Sequence, residues 1–297
     1  MFMNVQKNLS TANFFPSKYP IICSAMNHVY SYEMLVSCVN AGIMPAVFSD
    51  MIPVGDFDKF LAKYGPDSII INCTWFDFFR KDYSITRKLL NSEIKFLEIT
   101  GTWDTFYCQP NNKMQDVLKK IFVMMKNKGC KLIFKMDSIY KELADVIEIK
   151  GNEAAGRCLG NPLKEEFESA KAKFPNLHMI ASGGIHSSDQ VKYYIDNGAV
   201  AISAGTIFAS STESPLSLDA KMKIINSTAN DLSRFEGNNQ QGLIFSRLDN
   251  DNENNSYSLE MGIRTGSSGH IFAGQSVDNI TSIRPIKEIV ADLVQLV

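Results

Sequence analysis

The sequence predicts an α/β fold, a (β/α)8 TIM barrel with a small appended subdomain, and three observations lead there. Eight short apolar runs alternate with amphipathic segments between Tyr19 and Ala204, the order expected when parallel strands are joined by helices. The runs are continuously apolar, as suits strands covered on both faces. The last two end in glycine turns, Gly183-Gly184 and Gly205-Thr206, and the loops after the seventh and eighth strands of such a barrel commonly hold a phosphate. At 297 residues the chain is long enough for one barrel with an insertion.

Tyr19 to Met26 (YPIICSAM) is the first strand. Ser31 caps the next helix, with Glu33 in its first turn and Gly42 closing it. Ile43 to Phe48 is the second strand, Asp56 to Tyr64 a short helix, Ser68 to Thr74 the third strand and Ile94 to Thr100 the fourth. Asn112 to Lys128 carries Met114, Val117, Leu118, Ile121, Met124 and Met125 at helical spacing. Cys130 to Met136 and Ala144 to Lys150 are strands five and six. Only Asp137 to Leu143 separates them, which is short for a parallel crossover. Pro162 to Phe174 is a helix with proline at its start. His178 to Ser182 and Ala199 to Ala204 are strands seven and eight, with a helix from Asp189 to Asn197 between them and Gly198 ending it. Residues 215–270 are rich in Asn, Ser and Asp, with one helical segment from Leu218 to Leu232, and read as a small insertion or lid. Residues 1–214 and 271–297 then form the barrel, its last helix running from Ile286 to Leu296 after Arg284-Pro285.

Composition narrows the function. The chain is 45% hydrophobic and 21% charged with a net charge of −2, so it lacks the concentrated basic face that nucleic acid or an anionic membrane surface demands. No apolar run approaches the ~20 residues of a membrane span. No basic segment followed by an apolar core opens the sequence, so no signal peptide is expected. The six cysteines, at 23, 38, 73, 108, 130 and 158, show no CxxC spacing. They read as the small buried hydrophobes of a cytoplasmic protein. Asp249 to Glu260 imitates a calcium loop, but Asn254 stands where a glycine is required. A small-molecule substrate and no metal, nucleic acid or membrane partner are therefore expected.

Active sites of these barrels lie at the C-terminal ends of the strands. That face would present Ala25-Met26-Asn27-His28, Asn72-Cys73, Thr100, Lys135, the run Gly151 to Arg157, and the two glycine turns. Small residues, amides and one lysine beside a phosphate cradle suit a flat polar cofactor such as a flavin. Its pyrimidine edge needs backbone or amide partners and benefits from a nearby cation. Tight turns alone would also account for the glycines.

The segments PIICSAMNHVYSYEMLVSCVNAG, IIINCT, GNEAAGRCLG, ASGGI, GAVAISAGTIFASSTES and AGQSVDNI occur in this order. Together they resemble the nitronate monooxygenase (2-nitropropane dioxygenase) family and the related flavin-dependent enoyl-ACP reductases. The resemblance runs from Tyr19 to Val297 and is weakest over 215–270. It implies FMN bound in a (β/α)8 barrel, with Ser24, Ala25 and Met26 beside the ring and Asn72 and Lys135 at its polar edge. It further implies Ala154, Ala155 and Gly156 on the substrate side, Gly183, Gly184, Gly205 and Thr206 at the phosphate, and Gln275 closing the pocket. The implied activity is oxidation of a small, anionic substrate, with O2 reoxidising the flavin. An NAD(P)H-dependent enoyl reductase-like flavoenzyme, or a catalytically altered FMN-binding partner protein in a biosynthetic pathway, are the alternatives.

In the family, the run after strand six reads Glu-Ala-Gly-Gly-His, and its histidine is the catalytic base. Here Glu153-Ala154-Ala155-Gly156-Arg157 places arginine there. Arginine accepts no proton at working pH but is a permanent bidentate cation. Arg157 therefore either anchors an anionic substrate or turns to solvent or a carboxylate. His28, after the first strand, either replaces the lost base or makes an ordinary loop hydrogen bond.

Overall fold

The computed structural model describes residues 14–79, 88–89, 91–100, 112–135, 141–236, 244–249, 256–266 and 268–297. The strands, in chain order, are β1 (Ile21–Cys23), β2 (Met44–Phe48), β3 (Ile70–Thr74), β4 (Phe96–Thr100), β5 (Lys131–Lys135), β6 (Val146–Lys150), β7 (Gly156–Cys158), β8 (His178–Ser182), β9 (Ala199–Ala204), β10 (Leu232–Glu236), β11 (Ile244–Asp249) and β12 (His270–Phe272). Eight of them close a parallel barrel in the order β1-β2-β3-β4-β5-β6-β8-β9, with β9 pairing back to β1. The predicted (β/α)8 barrel is thus the observed one, and each predicted barrel strand is present. Around it lie helices α1 (Tyr32–Asn40), α2 (Val54–Tyr64), α3 (Asn112–Asn127), α4 (Leu163–Lys173), α5 (Ser188–Asp196) and α9 (Ile286–Leu293). The short α6 (Thr206–Ala209), with α7 (Leu218–Ile225) and α8 (Ser256–Thr265), sits towards the second sheet.

The helix starts are set by local chemistry. Ser31 Oγ accepts from the Met34 amide at 3.0 Å. Ser187 and Gln190 form a reciprocal capping box at the head of α5, which satisfies two otherwise orphaned donors. Several expected boundaries are corrected. β1 is only three residues long, because Tyr19 gives its amide to the Gly42 carbonyl and Pro20 has no N–H to give. The helix expected over 218–232 stops at Ile225, where Asn226-Ser227 break it. Thr228 then turns the chain into β10, its amide donating to Asp231 Oδ2 at 2.7 Å. The last helix ends at Leu293 rather than Leu296. β5 and β6 pair directly, and a 3-10 turn, Lys141–Leu143, lies among the described residues of the short connection between them.

Residues facing into the barrel change character along its axis. At the N-terminal end they are apolar: Ile22, Met44, Ile70, Phe96, Ile133 and Ile180 form one buried cluster. Phe15 plugs that end, its ring 4.9 Å from that of Phe96. Burying such a side chain fully is worth about 1.5–3 kcal/mol. Above this plug the inward residues become polar, and that change makes the site.

A second sheet covers the other end. Its middle strand β11 pairs antiparallel with β10 along one edge. The opposite edge is shared: β7 pairs with residues 244–246 and β12 with residues 247–249. Strand β7 belongs to the loop after β6, so the barrel itself contributes a strand to this sheet. Leu216, Ala220, Ile224, Leu248, Ile263 and Ile271 form the core beneath it. Cys23, Cys38, Cys73, Cys130 and Cys158 are buried thiols outside any disulfide. Cys108, and residues 250–255 of the calcium-loop imitation, lie outside the described residues. Among the described residues no helix is long and apolar enough to cross a membrane.

Candidate active site

A cavity of about 300 Å³ lies between the C-terminal ends of the barrel strands and the second sheet, at the lower end of the range for small-molecule sites. Its floor is the polar layer of the barrel. Lys135, at the end of β5, places Nζ 3.0 Å from Glu98 Oε2 and 3.7 Å from Glu148 Oε2. All three side chains are buried. The Asn72 amide donates to Glu98 Oε2 at 2.5 Å and to Thr100 Oγ1 at 2.6 Å.

Burial raises Glu98 to about 7, with Lys135 opposing and Glu148 adding to the rise. Burial would raise Glu148, but Lys135, a hydrogen bond with Glu98, Lys150 and Ser182 together outweigh it and hold the carboxyl below its usual value. The two carboxyls thus divide unequally over one proton. Burial works against the charge on Lys135, but both carboxylates more than offset it and keep the ammonium ionised. The cavity floor therefore carries a fixed cation whose charge is largely balanced from below.

The walls are built by glycine. Gly183 and Gly184 follow β8 with φ of 121° and 67°, conformations that only glycine adopts without strain. A Cβ on Gly184 would lie 2.8 Å from Glu153 Cβ, and one on Gly183 3.1 Å from Ala154 Cβ. This turn thus packs directly on the run after β6. Gly205 caps the start of α6 and packs on the first loop, where an added Cβ would touch Met26 Sδ at 3.6 Å and Ser24 Cβ at 3.8 Å. Glu153 pins that run, with Oε2 accepting from the Leu163 amide at the head of α4 and its carbonyl accepting from the Gln275 amide.

Of the residues expected at the site, Ser24, Ala25, Met26, Lys135, Ala155, Gly156, Arg157, Gly183, Gly184, Gly205 and Thr206 line this one cavity. Asn72 sits beneath the floor, bound to Glu98. Gln275 contributes its backbone to the Glu153 junction, while its neighbour Ser276 reaches the wall. His28 is half-buried in a left-handed conformation, φ 59°, and Asn27 and Val29 on either side of it line the cavity instead. Arg157 is in β7; burial lowers its pKa, but a guanidinium has margin enough to stay charged.

Several lining residues were not singled out from the sequence, and one of them is charged. Lys150, at the end of β6, donates to the Ala155 carbonyl at 2.7 Å. Burial, followed by the Lys135 charge, pulls it down to about 8, against Glu148 and Cys158. The available signal was parity: Val146, Glu148 and Lys150 alternate on the inward face of an otherwise apolar strand.

The residues present fit a flat polar cofactor with a phosphate. Ser203 Oγ on the cavity wall and Asn72 Oδ1 beneath it are buried with no hydrogen-bond partner, and such groups are uncommon unless something else satisfies them. Lys135 and the two glycine turns complete the set.

No family model matches the sequence, and no curated protein does. Solved structures do. FabK from Thermotoga maritima superposes with a TM-score of 0.75 at 19% identity, covering 94% of this chain and 92% of that one. A nitroalkane oxidase from Streptomyces ansochromogenes gives 0.71 at 14% identity, covering 93% and 95%. The enoyl reductase domain of MlnA, from the macrolactin biosynthesis cluster of Bacillus amyloliquefaciens, gives 0.56 at 14%, covering 79% and 64%. The chain therefore has the fold of these proteins over nearly the full length of the first two, and in this chain that fold includes a closed parallel barrel.

Proposed function

We propose that the protein is an FMN-dependent oxidoreductase akin to the nitronate monooxygenases, oxidising a small anionic substrate in the cytoplasm with O2 as electron acceptor. One observation carries this reading. A single cavity is bounded by the Gly183-Gly184 and Gly205 turns, floored by the Lys135 cation, and walled by Lys150 and Arg157, with no carboxylate lining it among the described residues. Residues 215–270 act as its lid.

When bound, FMN would supply a two-electron sink. The chain's own residues do the rest. Backbone N–H groups of the glycine turns hold the phosphate, and glycine permits the close approach. Lys135 would lie at the polar edge of the ring, with Asn72 supporting it from beneath through Glu98, and Lys135 keeps its charge through Glu98 and Glu148. Arg157 holds the oxygens of the substrate anion in a forked contact. Leu216 and Ile263 from the lid, with Ile271 just after it, exclude water above it.

The visible spectrum of the purified protein tests the cofactor. Flavin absorption, retained on gel filtration and lost on acid precipitation, is the expected result; a colourless protein that takes up no added FMN overturns the reading. The anion clamp has its own test. Arg157→Ala should raise KM about 10–100-fold for an anionic substrate with a smaller change in kcat, the loss of a charge-assisted contact of about 1.5–3 kcal/mol.

The enoyl reductase domain among the structural neighbours favours a second reading, an NAD(P)H-dependent enoyl reductase. Anaerobic mixing with NADPH separates the two, since rapid bleaching of the flavin belongs to the reductase.

A further inference from the structure

We propose that Lys150 is the proton acceptor of this cavity, removing hydrogen from the carbon next to a nitro or carbonyl group whose oxygens Arg157 holds. The proposal rests on reading the cavity as a substrate site, with the substrate anion formed there from its neutral carbon acid, but not on the flavin.

The geometry sets Lys150 apart from the other two cations. Lys135 is committed to Glu98 and Glu148 below the floor, and a guanidinium accepts no proton. Lys150 stands higher, half-buried, on the cavity wall. Its hydrogen bond to the Ala155 carbonyl uses one N–H and fixes the head group beside Ala155-Gly156-Arg157. A neutral amine so held keeps its lone pair for the cavity. The groups facing it are Lys135 on β5, Glu148 on its own strand, and Arg157 and Cys158 on β7. The two cations disfavour its protonation, the other two groups favour it, and burial outweighs them all, leaving its pKa at about 8. About one amine in ten is then uncharged at pH 7, against far fewer than one in a hundred for an exposed lysine.

The step balances without any oxidant. The C–H bond breaks, the proton forms a new N–H bond on Nζ, and the electron pair stays on the substrate, spread onto its oxygens. Arg157 stabilises that charge where it develops. Apolar Ile271 and Leu216 leave room for a short alkyl tail.

The test is solvent exchange. Nitroethane is incubated with the purified protein in D2O, and loss of its α-proton signal is followed by NMR from pH 6 to 10. The spectrum of the flavin is recorded on the same samples, so failure of the cofactor reading is seen separately. Wild type should accelerate exchange over buffer, with a rate that rises with pH and levels off above about 8. Lys150→Met and Lys150→Arg should each lose about 100-fold or more, the second while keeping a cation in place. Trace acetylation read by peptide mass spectrometry gives a second measurement on the unmutated protein: Lys150 should titrate near 8 and surface lysines near 10. Exchange no faster than buffer, exchange unchanged in Lys150→Arg, or a Lys150 amine that titrates with the surface lysines would each overturn the proposal.

Discussion

Replacing Lys135 with methionine is expected to destabilise the barrel by about 3–5 kcal/mol at neutral pH, the usual result of removing one partner from a buried ion pair. Methionine matches the volume and fits irregular gaps, so lost packing is the smaller part. The larger part is electrostatic: Glu98 and Glu148 would face each other in the barrel with no cation between them. Both folded-state values would then lie above those of the unfolded chain, Glu98 above the 7 it already reaches. The folded variant would bind more protons than the unfolded chain between about pH 4.3 and those raised values. Its stability must therefore fall as pH rises through that window. The gap between wild type and variant, measured by urea unfolding at pH 5, 7 and 8, should widen towards pH 8. A gap that stays constant would assign the loss to packing. Adding Glu98→Gln to the variant should recover part of it, because the two positions share one network.

That ion cluster also marks the limit of what the sequence made legible. The barrel strands could be read because each is buried on both faces and stands out as an apolar run wherever its partners lie. Their ends were overrun by one to three residues, as at Tyr19-Pro20, where apolar character continues but pairing does not. Gly183 and Gly184 were legible for a different reason: their demand for positive φ acts through the chain itself. The second sheet had no such local signature. Strand β7 reads Gly-Arg-Cys and β11 Ile-Phe-Ser-Arg-Leu-Asp, and they pair across more than eighty residues of sequence. Ser246 and Arg247 are buried there, so even the polar pattern misleads. Glu98, Glu148 and Lys150 were passed over because charge on a short strand is ordinary at an exposed edge. Only closure of the barrel turns those side chains inward together, and only burial depth sets what each can do with a proton.

The same closure gives Gly274→Ala an expected cost of at least about 3 kcal/mol, at the upper end for overpacking. The argument is purely steric, because Gly274 has φ −113° and its backbone would suit alanine. An added Cβ would stand 2.4 Å from the Glu153 carbonyl oxygen and 2.8 Å from both Ala154 C and Ala155 N. These are backbone atoms and cannot swing aside. Glu153 is anchored by Leu163 at the head of α4 and by the Gln275 amide, while Gly274 itself donates to Thr206 Oγ1 at 3.1 Å. Relief of the clash must therefore separate the turn after β12 from the run after β6, and with it the second sheet from the cavity wall. Flavin uptake should fall together with stability, even though Gly274 is not among the cavity-lining residues. Gly55→Ala is the control: nothing lies within 4 Å of its added Cβ, it sits in helix α2, and it should stabilise by roughly 0.5 kcal/mol. Thermal unfolding and FMN titration of the two variants side by side distinguish a local clash at the junction from a general intolerance of alanine for glycine. If Gly274→Ala melts like wild type and binds FMN as tightly, the junction between barrel and second sheet is looser than this packing requires.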